Sequence, residues 1–227
     1  MPLSIIIPCL NEAEGIAAAL AALRPLRERG AEIIVVDGGS SDDTVSRARD
    51  ADQVIIAARG RALQMNAGAA RAGGVVLLFL HADCRLPSDA DAALIEGLRR
   101  SGRRWGRFDV QIDSASPLLR IVARLMNVRS RWTGIATGDQ ALFVTRTLFD
   151  AAGGFPPIAL MEDVEMSRRL KRYGRPLCLK HRIRVSPRRW EKHGVLRTIL
   201  LMWRLRLAYW LGADPRKLAL RYANHEP

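Results

Sequence analysis

Three polar clusters follow short apolar runs in the first half of the chain: Pro8-Cys9-Leu10-Asn11-Glu12, Asp37-Gly38-Gly39-Ser40-Ser41-Asp42 and His81-Ala82-Asp83-Cys84. A fourth, acidic group, Glu162-Asp163-Val164-Glu165, stands in the second half. Carboxylates in such places serve two chemistries. They hold a hard divalent cation together with phosphate oxygens, and they accept the proton of an attacking hydroxyl. Asp83 ends the hydrophobic run Val75–Leu80. Its carboxylate is a hard-oxygen ligand in a partly desolvated place, suited to Mn²⁺ or Mg²⁺. At Glu162-Asp163 the neighbouring negative charges favour protonation of one carboxyl, which suits a base. Each residue also has a plainer reading. Asn11, Ser41 and Asp42 make good caps, Asp37 a good turn residue, and Glu162, Asp163 and Glu165 a favourable helix N-terminus.

The intervening residues say what must position these groups. Apolar runs at Leu3–Pro8, Glu32–Asp37, Gln53–Ala57 and Val75–His81 read as strands. Helix-like runs lie between and after them, at Glu14–Leu23, Asp42–Arg49, Ala62–Ala72 and Asp89–Arg100. This alternation predicts βαβ units and a parallel sheet covered on both faces, with the third and fourth strands buried on both sides. Ligands of such sheets bind outside the carboxyl ends of the strands, which gathers Asn11, Glu12, Asp37 and Asp83 around one crevice. Asn11 and Glu14 are spaced as a capping box, and Ser41 and Ser88 stand where caps belong.

The second half is less regular. Trp105–Ile112, Ala141–Thr145 and Leu177–Val185 read as strands. Pro117–Val128, Leu160–Tyr173 (ending at Gly174) and Val195–Leu211 read as helices. The expected fold class is α/β: a mostly parallel, Rossmann-like sheet flanked by helices over residues 1–194, with an amphipathic helical extension over 195–227.

With 227 residues, 48% of them hydrophobic, the chain can bury one sizeable core. The formal charge of +13 implies attraction to nucleic acid, an anionic membrane surface or a phosphorylated substrate. The cations are nearly all arginine, which suits bidentate phosphate contacts but also follows from genome composition. Aromatics are only 6% and form no stacking platform, so no nucleic-acid partner is expected. Cys9, Cys84 and Cys178 form no C-x-x-C pair and fit a reducing compartment. There is no basic leader with a cleavage site and no apolar run of about 18 residues, so a cytoplasmic protein is expected. Val195–Leu211 sets Arg197, Arg204 and Arg206 among Leu, Trp and Tyr. It reads either as a helix lying in the interface of the inner membrane or as a core-packing or dimer helix.

The segments Ser4–Glu12, Ile34–Thr44, Leu80–Asp83, Gly153-Gly154-Phe155 and Met161–Leu170, in this order over roughly residues 3–190, resemble the family 2 glycosyltransferases with a GT-A fold. The Asp37-Gly38-Gly39-Ser40 variant also resembles small bacterial members associated with arsenosugar biosynthesis. The resemblance implies a metal-dependent, inverting transfer of a sugar from a nucleotide-diphosphate donor, commonly a UDP-sugar, to a hydroxyl acceptor, a small molecule or, if Val195–Leu211 lies in a membrane interface, a lipid. It implies that Pro8, Asn11 and Glu12 hold the nucleoside and that Asp37 contacts the base. Asp83, matching the last Asp of the D-x-D motif, would bind metal and diphosphate. Asp163 would be the general base, with Glu162 beside it. Two positions depart from the pattern. His81 stands at the first D-x-D position, open to metal, ribose or plain packing, and Gly38 replaces a common Asp.

Further positions carry weaker expectations. Arg61, in the basic loop before a helix, would grip diphosphate or be a solvated turn residue. Asp139 would contact donor sugar or acceptor. Arg189, in Arg188-Arg189-Trp190, would face diphosphate with His193 nearby. Trp132, Thr133 and Gly134 would form an acceptor-side lid or a loop packing one aromatic. The competing functions are nucleotidyl transfer, a catalytically inactive nucleotide-sugar binder, and a basic nucleic-acid-binding protein. No G-x-G-x-x-G follows the first strand and no Gly-rich P-loop is present.

Overall fold

The computed structural model describes residues 1–223, with the side chains of Arg189, His193 and Ala223 outside the described set. The elements are β1 (Leu3–Cys9), α1 (Ile16–Glu28), β2 (Glu32–Asp37), α2 (Thr44–Arg47), β3 (Gln53–Ile56), α3 (Arg61–Arg71), β4 (Val76–Phe79), β5 (Cys84–Arg85) and α4 (Ala90–Ser101). They continue as β6 (Trp105–Ile112), α5 (Pro117–Thr133), a 3-10 turn (Gly138–Gln140), β7 (Phe143–Thr145), α6 (Arg146–Ala151), α7 (Glu162–Lys171), β8 (Leu177–Val185), α8 (Arg188–His193), α9 (Val195–Trp210) and α10 (Pro215–Ala223).

The strands form one eight-stranded sheet in the order β3-β2-β1-β4-β7-β6-β8-β5. β1 pairs in parallel with β2 and β4, β2 with β3, and β6 with β8, while β7 and β5 run against their neighbours. The reversal of β7 matters for function. Its entry, not its exit, lies on the edge where β1, β2 and β4 end, and this brings Gly138 and Asp139 there.

The period-two alternation of a strand explains the continuous apolar runs. Ile5 and Ile7 of β1 face a core cluster with Leu20 and Leu23 of α1 and Leu94 of α4. Ile6 faces the other way, with Met65 of α3, Phe149 of α6 and Met166 of α7. A third cluster joins Leu160 and Met161 to Leu205 of α9 and Leu218 and Tyr222 of α10.

Several local expectations are corrected. β3 is an edge strand, not one buried on both faces, and its Ile56 is 72% exposed. α1 starts at Ile16 and runs through Pro25 to Glu28, because Leu26 continues the buried stripe of Ile16, Leu20 and Leu23. No Asn11–Glu14 box forms. Asn11 has φ 53, and its Oδ1 accepts the Ser41 N–H at 2.9 Å. Asp42, not Ser41, serves the start of α2, its Oδ1 accepting the Thr44 N–H at 3.0 Å. Ser88 uses its carbonyl on Arg29 and does not cap α4, whose N-cap is Asp89. α7 begins only at Glu162, because Met161 is held at φ 70, and it ends at Lys171 rather than at the residue before Gly174. α5 extends to Thr133, so Trp132 and Thr133 are its last turn and Gly134 its left-handed cap, not a lid loop.

Candidate active site

Two cavities flank the turn His81-Ala82-Asp83. The first, about 240 Å³, is lined by Glu12, Asp83, Arg85, Asp113, Arg184 and Arg188. These residues come from the carboxyl ends of β1, β4, β6 and β8 and from β5, as expected for an open sheet with a ligand crevice. Asp83 is exposed here, and its carbonyl accepts the Ser186 N–H at 3.3 Å. Burial and the negative charge of Asp83 raise the Glu12 carboxyl above its ordinary value, while Arg188 and Arg85 pull it back. The second cavity, about 70 Å³, is lined by Arg61, His81, Asp139, Glu162, Asp163 and Arg206, with Tyr222 among its other walls.

The second cavity is the more tightly built. The Asp163 carboxylate accepts the Gly138 N–H at 2.8 Å on Oδ2 and the Val164 N–H at 2.7 Å on Oδ1. A Cβ on Gly138 would stand 2.2 Å from the His81 ring, so only glycine lets the 3-10 turn lie against that imidazole. His81 Nδ1 is 3.9 Å from Asp139 Oδ1. Glu162 is buried and pairs with Arg61 Nε at 3.2 Å. Burial raises its carboxyl above the usual range, Arg61 opposes the shift, and Asp163 adds to it.

The two cavities divide the expected residues between them: His81 lines the second with Gly138 and Asp139, and Asp83 lines the first with Glu12 and the arginines. Arg61 stands in the Glu162 cavity, with its guanidinium 5.9 Å from the Tyr222 ring. Asp37 is buried. Its Oδ2 accepts the Gly39 and Ser40 N–H groups, both at 2.8 Å, and its Oδ1 the Ser40 hydroxyl. Those bonds shape the loop that receives the Asn11 N–H on Ser40 Oγ at 2.8 Å. Pro8 is a buried residue of β1, opposite Val36. Where the resembled family carries an Asp, a Cβ on Gly38 would meet the Gln64 amide at 3.1 Å. That amide ties the Cys9 and Val36 carbonyls together, each at 2.8 Å. Arg189 lies on α8, and its side chain, like that of His193, is outside the described residues.

Other participants were not visible in the sequence. Arg85 reaches the first cavity through the two-residue strand β5. Arg129 lies beyond the expected end of α5. Its Nε and Nη2 are buried, with no hydrogen-bond partner among the described residues. Burial first, then Arg206, lowers its guanidinium to about 10, while Asp163 and Asp139 oppose the shift. Tyr222 of α10 and Arg206 of α9 close the second cavity. The only signal for Arg206 was the run of Arg among apolar residues in the C-terminal helix. Backbone strain marks the same places. Among the described residues the non-glycine positions with positive φ, Asn11, Ala141 and Met161, all border these loops. The two buried thiols do not offer a nucleophile. Burial, then Asp37, pushes Cys9 up to about 12, and burial raises Cys84.

Among the described residues no group of three or more His, Cys, Asp or Glu could hold a metal ion. The donors at Asp83 and Glu12 fit an ion held by one or two carboxylates with substrate phosphates supplying the rest. They do not fit a metal caged by protein alone.

The model of glycosyl transferase family 2 matches residues 4–145. The probable glycosyltransferase YdaM of Bacillus subtilis (strain 168) is 30% identical over 201 residues, covering 75% of this chain and 47% of that protein. The chain spans about half the length of the curated relatives it matches. Among solved structures, the mannosyltransferase PcManGT of Pyrobaculum calidifontis, in complex with GDP-Man and Mn²⁺, superposes with a TM-score of 0.68 at 20% identity, over 99% of this chain and 64% of that one. S. aureus TarS 1-349 in complex with UDP-GlcNAc gives 0.66 at 17% identity, over 82% of this chain and 58% of that one. The fold is GT-A, and the chain belongs to glycosyltransferase family 2.

Proposed function

We propose that this chain moves a sugar from a nucleotide-diphosphate donor to a hydroxyl acceptor, with inversion at the anomeric carbon. One observation carries the reading. The turn His81–Asp83 divides a cleft of arginines and exposed carboxylate from a smaller cavity whose carboxylate, Asp163, is held by two backbone N–H groups. The first cavity suits a diphosphate, since Arg85, Arg184 and Arg188 offer bidentate donors beside Asp83. A divalent ion, Mn²⁺ or Mg²⁺, held by Asp83 with Glu12 nearby, would neutralise charge on the departing diphosphate.

In the second cavity Asp163 accepts the proton of the acceptor hydroxyl as its oxygen bonds to the anomeric carbon. The bond from that carbon to the diphosphate oxygen breaks, and the nucleoside diphosphate leaves with the electron pair. One base and one displacement give inversion. The N–H bonds from Gly138 and Val164 fix the carboxylate plane, so little reorganisation is needed at attack. Glu162, neutralised by Arg61, sits behind Asp163 as a buried support.

UDP-sugars are the expected donors, with GDP- and TDP-sugars as comparators. In a thermal-shift screen, a UDP-sugar with Mn²⁺ raises the melting temperature, and Asp83→Ala abolishes the metal-dependent part of that rise. No response to any nucleotide sugar, together with salt-sensitive DNA binding, would overturn the reading.

A further inference from the structure

α5 and α9 each carry a second apolar face that the core does not use. Along α5, Leu118, Ile121, Leu125, Val128 and Trp132 follow at steps of three and four residues and are 39% to 81% exposed. That spacing is one helix face. α9 repeats it with Leu196, Leu200, Trp203, Leu207 and Trp210, 58% to 70% exposed. Packing uses the other sides, through Leu119, Val122 and Ala123 on α5 and Thr198 and Leu205 on α9. A surface helix ordinarily turns one apolar stripe inward and a polar face outward; these two helices do not.

Val195 and Ile199 of α9 pack against the same core cluster as Leu119 and Val122 of α5. Arg129 and Arg206 lie within electrostatic reach of each other. Between α9 and α10 an open groove of about 890 Å³ has Leu200, Leu207 and Leu211 along it and Arg197, Arg204 and Arg221 at its edges.

Charge selects the occupant. α5, α9 and α10 contain no Asp or Glu. Their exposed cations are Arg120 and Arg124 on α5, Arg197 and Arg204 on α9, and Arg216, Lys217 and Arg221 on α10. A two-fold dimer through this face would set the same cations against one another. An anionic bilayer answers both features. Leucines enter the acyl boundary, tryptophans sit at headgroup depth, and arginines meet lipid phosphates. Among the described residues no helix is long and apolar enough to cross a membrane, so these helices would lie in the plane of the interface.

We propose that the exposed faces of α5 and α9 dock this protein on an anionic lipid surface. Docking there sets the membrane beside the cavity of Asp163, which Met202 and Arg206 of α9 help to close. The proposal does not depend on the transfer chemistry.

The test is co-sedimentation of the full chain with phosphatidylcholine vesicles, with and without phosphatidylglycerol, at low and high salt. The protein should pellet with the phosphatidylglycerol vesicles at low salt and be released by high salt. The double substitution Trp203→Ser with Trp210→Ser should weaken partitioning about tenfold or more. Ile121→Gln with Leu125→Gln should weaken it further when added. These side chains are exposed, so the variants should keep the wild-type melting temperature and its response to nucleotide sugar. Failure to bind the anionic vesicles, or undiminished binding by the folded variants, would overturn the proposal. So would a dimer in lipid-free solution that Trp203→Ser with Trp210→Ser dissociates, since the face would then belong to a second copy.

Discussion

The two cavities beside the His81–Asp83 turn are built by opposite strategies. The Asp83 side is assembled from strand ends, open to solvent, and rich in arginines facing an exposed carboxylate. The Asp163 side is assembled from a 3-10 turn, a helix start at a strained residue, and two C-terminal helices, and its buried Glu162 is paired with Arg61. The first is suited to a large, mobile, charged donor that must enter and leave. The second is suited to holding one carboxylate still.

If the second cavity depends on rigid placement, disturbing its backbone should do the most harm. Gly138→Val puts side-chain atoms where the His81 ring lies and displaces the N–H that holds Asp163. Turnover should fall about a hundredfold, and stability by about 1–3 kcal/mol from overpacking. Denaturant unfolding and initial rates measure both. Unchanged rates would mean that the turn does not position the base.

Arg129→Met separates stability from activity. Among the described residues its guanidinium has buried, unpartnered nitrogens, and it lies in electrostatic reach of Arg206, Asp163 and Asp139. Replacing it with an apolar side chain should leave the protein equally stable, or more stable by about 1 kcal/mol. The transfer rate should fall several-fold, because positive charge next to the base is lost. Loss of stability together with full activity would make Arg129 a packing residue.

The smallest effect is expected at the open cleft. Glu12 has its folded carboxyl raised by burial and Asp83. A raised folded value means relative stability that is complete below the unfolded carboxyl value and lost as pH rises through the folded one. Glu12→Gln removes that loss. Its stability relative to wild type should therefore improve between about pH 4 and pH 7, by less than about 1 kcal/mol given its partial exposure. Melting temperatures across that range provide the check.

The same contrast explains what could be read in the sequence. β1 and β2 announce themselves as β-branched runs and β4 as an apolar one, ending in Glu12, Asp37 and Asp83 neighbourhoods, and the parallel rule then places the crevice. β6 and β8 were also legible as strands. The direction of β7 was not, because hydrophobic periodicity is the same whichever way a strand runs, so the meeting of Gly138 with Asp163 could not be foreseen. β5 is two residues long and leaves no periodic signal. Arg129 fell beyond the expected helix end because Asn127, Arg129 and Ser130 interrupt the apolar pattern. Asp37 was readable as a turn residue or a ligand, and both its oxygens accept hydrogen bonds from the turn. The C-terminal helix was readable as apolar and basic, but not as a wall of the Asp163 cavity.

The division of labour between Asp83 and Asp163 is tested most directly by calorimetric titration of a UDP-sugar with Mn²⁺ into Asp163→Asn and Asp83→Ala, alongside transfer rates. Asp163→Asn should bind the donor within about threefold of wild type while transfer falls about 10²–10⁴-fold, and Asp83→Ala should lose the Mn²⁺-dependent binding. Wild-type transfer by Asp163→Asn, or undiminished metal-dependent binding by Asp83→Ala, would contradict it.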